Sequence, residues 1–117
     1  MFKQVVEKKY PFRQARAATL AHHEAFVSQT IGPEEYVERL NQLLKRATLY
    51  AQKDSRAASL SGQKWLDYLD DLSQSTGFSL GQGKALGEMR YHKNTHFELS
   101  DLHTRVLQVI RVLEKNT

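Results

Sequence analysis

Three aspartates crowd into five positions, Asp67, Asp70 and Asp71, beside the chain's one tryptophan, Trp65. Paired carboxylates do acid–base work when their surroundings push their pKa values apart. Here the spacing places all three on the outer face of a helix, so a solvated face is the preferred reading, with an acidic patch for a basic partner as the alternative. Ser61 stands beside Gly62. It lacks the Gly-x-Ser-x-Gly setting of a strained nucleophile and follows no strand, so a helix cap accounts for it. His92 and His96 have the four-residue spacing of two metal ligands, but their segment reads as loop and no glutamate lies between them. His22 and His23 are adjacent and point to different sides of a helix, and His103 stands apart. Gly81-Gln82-Gly83-Lys84 resembles a phosphate loop only superficially. One residue separates the glycines, Ala85 follows the lysine, and no strand precedes. The expectation is therefore no catalytic residue, no cofactor and no metal.

These residues have to be positioned by helices. Tyr36, Val37, Leu40, Leu43, Leu44, Ala47, Tyr50 and Ala51 fall on one face of a helix over residues 33–52. Gly32-Pro33-Glu34-Glu35 opens it, with proline at the first position and carboxylates at the positive end of the dipole. Ser61 is placed to cap a second helix running to about Ser73. In it Trp65, Leu66, Leu69 and Leu72 face inward, and Leu60 sits at the spacing of a hydrophobic staple to Trp65. Leu99, Leu102, Val106, Val109, Ile110 and Leu113 form the stripe of a closing helix, capped by Ser100 or a neighbour. Pro11 to Ser28 is alanine-rich and helix-favouring, with Ala17, Leu20, Ala21 and Val27 as inner positions and Phe26 beside them. Thr76 to Gly83 is turn-like, a short helix follows over Lys84–Arg90, and Tyr91–His96 reads as loop. No segment alternates at period two. The fold class is all-α: a compact single-domain bundle of about four main helices plus one or two short ones. Leu43, Leu44, Leu60, Trp65 and Leu69 are its structural core.

The chain has 117 residues and no cysteine, which makes it one domain and excludes disulfides and thiolate metal sites. No run approaches the ~20 apolar residues of a membrane span, and the first residues hold no signal-peptide core. The net charge of +4 is uneven: residues 1–53 hold nine Lys/Arg against five Asp/Glu, residues 54–117 eight of each. The excess gathers early, at Lys3, Lys8, Lys9, Arg13 and Arg16 against Glu7. Residues 1–10 read as a basic leader and residues 11–117 as the helical domain. Such a leader approaches nucleic acid or an anionic membrane, or is simply a solvated terminus. The helix of Trp65 carries more carboxylate than cation and repels phosphate, so nucleic-acid binding is the second reading.

Leu43, Leu44, Arg46 and Ala47, then Leu60-Ser61-Gly62-x-x-Trp65-x-x-x-Leu69, then Leu86 and Tyr91, occur in an order that resembles a bacterial family, domain of unknown function 4381. The resemblance covers about residues 11 to 115. It implies a non-enzymatic accessory or scaffold protein in which an N-terminal transmembrane helix precedes a cytoplasmic helical domain. Its implied partners are a MoxR-type AAA+ ATPase and membrane proteins with von Willebrand factor A domains. It implies no catalytic residue. This sequence departs from the family in lacking the membrane helix. The basic leader fits the cytoplasmic flank of one, so the expectation is a fragment whose anchor was removed and whose Met1 is an added start.

Overall fold

A computed structural model describes residues 11–53, 55–88 and 98–117. Within them the chain forms six helices: α1 (Phe12–Val27), α2 (Pro33–Gln52), α3 (Ser55–Ala58), α4 (Gly62–Ser73), α5 (Ala85–Glu88) and α6 (Leu102–Lys115). A single 3-10 turn, Gln82–Lys84, leads into α5, and no strand occurs among the described residues.

The long helix α2 starts where proline and paired glutamates place it. It ends at Lys53, which turns left-handed at φ 54° and donates its N–H to the Leu49 carbonyl. Two further helices end in the six-to-one turn named for Schellman. At α1, Thr30 N–H reaches the Ala25 carbonyl and Gln29 N–H the Phe26 carbonyl; at α4, Ser75 reaches Asp70 and Gln74 reaches Asp71. The left-handed residue in both is glutamine, Gln29 at φ 64° and Gln74 at φ 53°, where glycine is usual.

Helices α1, α2 and α6 pack against one another pairwise, and α4 lies on α5 and α6. Arg16 near the start of α1 pairs with Glu114 near the end of α6, and His23 stacks on His103, so α1 and α6 run antiparallel. The core takes Tyr36, Leu40, Leu43, Leu44 and Ala47 from α2, Trp65, Leu66 and Leu69 from α4, and Leu102, Val106, Val109, Ile110 and Leu113 from α6. Leu43, Leu44, Trp65 and Leu69 are buried as their periodicity requires; Leu60 is partly buried at the edge of the cluster.

Two local expectations are corrected. Ser61 holds the extended backbone of an N-cap residue, yet its hydroxyl makes no capping hydrogen bond. The next residue, Gly62, is left-handed at φ 59°, so the first turn does not present its amides in the usual capping geometry. The inner face of α1 is also not the alanine–leucine stripe. Leu20 is 50 % and Val27 63 % exposed, and Ala17 and Ala21 face outward too. The buried side runs through Phe12, Ala15 and Thr19 and on to half-buried His23 and Phe26. Thr19 sits in that apolar seam because its hydroxyl donates to the Ala15 carbonyl one turn back.

Candidate functional site

Helix α4 brings the three aspartates to one face, but not in one role. Asp70 is half-buried and turned toward the chain that follows. Its carboxylate accepts Phe78 N–H at 2.9 Å and Ser79 N–H at 3.2 Å, together with the Ser79 hydroxyl. Its own carbonyl takes the six-to-one bond from Ser75. Asp70 thus fastens the segment 75–79 to the end of α4, and the reading of all three aspartates as a solvated face is corrected at this position. Asp67 and Asp71 are exposed. Asp67 accepts a hydrogen bond from Gln63 one turn earlier. Together with Gln74, Ser75 and Thr76 the three carboxylates line an open depression of about 420 Å³.

The glycine segment that follows is a compact turn. Gly83 N–H donates to the Gly77 carbonyl and Leu80 N–H to that of Thr76. Phe78 is fully buried and Leu80 is 80 % exposed. A methyl group added at Gly83 would stand 2.3 Å from the Phe78 ring, so the glycine here is a packing requirement.

Trp65 is sealed from solvent, and its indole N–H donates to Asn41 Oδ1 at 2.7 Å. Tyr68 stacks on it, and Lys45 Nζ lies 5.2 Å from the ring centroid. The residue is a core anchor with one polar handle.

Of the basic candidates, Arg13 is exposed, while Arg16 pairs with Glu114 and ties α1 to α6. Lys3, Lys8 and Lys9 lie outside the described residues, as do His92 and His96. Among the described residues no three His, Cys, Asp or Glu side chains are grouped to hold a metal. No helix among them is long and apolar enough to cross a membrane.

One constellation had no signature in the sequence. The imidazoles of His23 and His103 stack with centroids 3.6 Å apart, and His23 Nδ1 lies 3.2 Å from the Tyr36 hydroxyl. Phe26 stacks in parallel on Tyr36 at 4.5 Å. Burial pushes the Tyr36 phenol up to about 12, against a backbone hydrogen bond from His103 that acts the other way. Burial, then the neighbouring His23, hold His103 below the usual histidine value; Asp101 and the Ser100 backbone oppose this. Burial, then Arg39 and Arg46, lower His22 as well.

The architecture defines a small all-helical domain whose exposed carboxylates flank a pinned loop. The chain belongs to the family described as domain of unknown function (DUF4381), which it matches over residues 2–111. No curated protein and no solved structure matches it.

Proposed function

We propose that this domain is a non-enzymatic docking module, the cytoplasmic part of a membrane-anchored accessory protein serving a MoxR-type AAA+ ATPase and von Willebrand factor A proteins. That setting is what the resemblance to the family implies; the match itself is to a domain of unknown function. The observation that carries the docking reading is the division of labour on α4: Asp70 is committed to the loop, while Asp67 and Asp71 remain exposed beside it. A von Willebrand factor A domain of the metal-dependent kind takes a carboxylate ligand from its partner. Asp71 suits that role best, since no hydrogen bond among the described residues engages its side chain.

The test is the affinity of this domain for the purified von Willebrand and ATPase proteins of the source bacterium, with magnesium and with chelator. Asp67→Asn/Asp71→Asn is the informative variant, because changing Asp70 also disturbs the loop. Binding that the double variant and the chelator both abolish supports the carboxylate reading. Binding unchanged by either ends it.

A further inference from the structure

We propose that the His23–His103 stack is an acid-responsive latch, which fastens the C-terminal half of α1 to the start of α6 and releases it as pH falls through the histidine range. The geometry of the stack disfavours charge on both rings at once. The imidazoles face each other at 3.6 Å with an interplanar angle of 24°, so two protonated rings would repel at contact distance. The Nδ1 of His103 is buried and no hydrogen bond of ordinary geometry reaches it, and the Ser100 backbone beside it favours a charged ring without outweighing burial. His23 Nδ1 also lies 3.2 Å from the Tyr36 hydroxyl, which ties α1 to α2 beside the stack.

The charged and titratable surroundings come from every neighbouring element. From α2 come Tyr36 against His23, and Arg39 and Arg46, whose charges act on His22. At the start of α6 stands Asp101, whose carboxylate favours a charged His103 without outweighing burial and His23. Glu98 lines the same groove as His23. Folding therefore selects neutral His103. Its contribution is complete above the unfolded histidine pKa of about 6.5 and declines as pH falls from there toward the lower folded value. The latch borders an apolar groove of Phe26, Val27, Pro33 and Leu99, so release would uncover apolar surface that the paired helices share.

Backbone hydrogen exchange of the full chain at about pH 7.5 and about pH 5.5, corrected for intrinsic rates, tests this. The expected result is a loss of protection confined to the second half of α1 and the first turn of α6, with α4 unchanged. The loss should disappear in His103→Phe, which keeps a flat ring and cannot charge, and persist in His22→Gln. A uniform loss over all helices, no loss, or an undiminished loss in a folded His103→Phe would overturn the latch. Should that variant not fold, NMR titration of the unmodified chain decides. His103 must titrate below the ordinary value with the α1 amides following its curve, and titration as a free histidine refutes the proposal.

Discussion

Replacing Asp70 by alanine separates a structural carboxylate from two exposed ones. The side chain accepts two backbone N–H groups and one hydroxyl, at Phe78 and Ser79. A hydrogen bond to a charged group contributes about 1.5–3 kcal/mol when buried. Asp70 is only half-buried, and its bonds share two oxygens, so they do not add in full. The expected loss for Asp70→Ala is about 2–3 kcal/mol, worth roughly ten degrees of Tm in a domain of this size. Asp70→Asn keeps one acceptor but turns an N–H₂ toward donors, and should lose about 1–2 kcal/mol. Asp71→Ala should stay within about 0.5 kcal/mol of the parent. Urea unfolding followed by Trp65 fluorescence measures all three, since that indole is buried in the native state and is the chain's one tryptophan. Equal losses for Asp70→Ala and Asp71→Ala, or no loss for either, would refute the clamp. So would full exchange protection of the Phe78 and Ser79 amides in Asp70→Ala.

Trp65→Ala should cost about 3–5 kcal/mol by circular dichroism melts, because it empties a sealed site and strands Asn41. Trp65→Phe, which removes chiefly the indole bond to Asn41, should cost a fraction of that. Gly83→Ala drives a methyl into the fully buried Phe78 and should lose about 1–3 kcal/mol in the same melts. Gly77→Ala meets the movable guanidinium of Arg105 and should lose distinctly less. Gln29→Gly relieves a left-handed non-glycine residue at an exposed helix end and should raise stability by about 0.5–1 kcal/mol, read as a higher urea midpoint.

What the sequence disclosed followed from local rules. The bounds of α2 and α4 were legible because Pro33 and Ser61 mark positions that depend on a few neighbouring residues. The stripes of α2, α4 and α6 were legible because one face of each is apolar by residue type. Helix α1 misleads for the same reason. Its outward face is alanine and leucine, while its inward face uses Thr19 and His23, which residue type alone marks as polar. Their burial depends on a back-bonded hydroxyl and on a second imidazole eighty positions away. Asp70 differs from Asp67 and Asp71 only through a loop that folds back eight and nine residues later. No periodicity encodes that return, so the site's membership was visible and its division of labour was not.

The antiparallel pairing of α1 with α6 also has a mechanical meaning. Arg16 and Glu114 bring residues near the start of α1 and the end of α6 to the same corner of the domain. A pull applied between those two points would open the α1–α6 seam like a zipper, breaking the Arg16 contact first and the histidine stack last. Contacts that yield in succession resist far less than contacts sheared together. Tension carried through this domain from one flank to the other would thus undo it from the Arg16 corner inward.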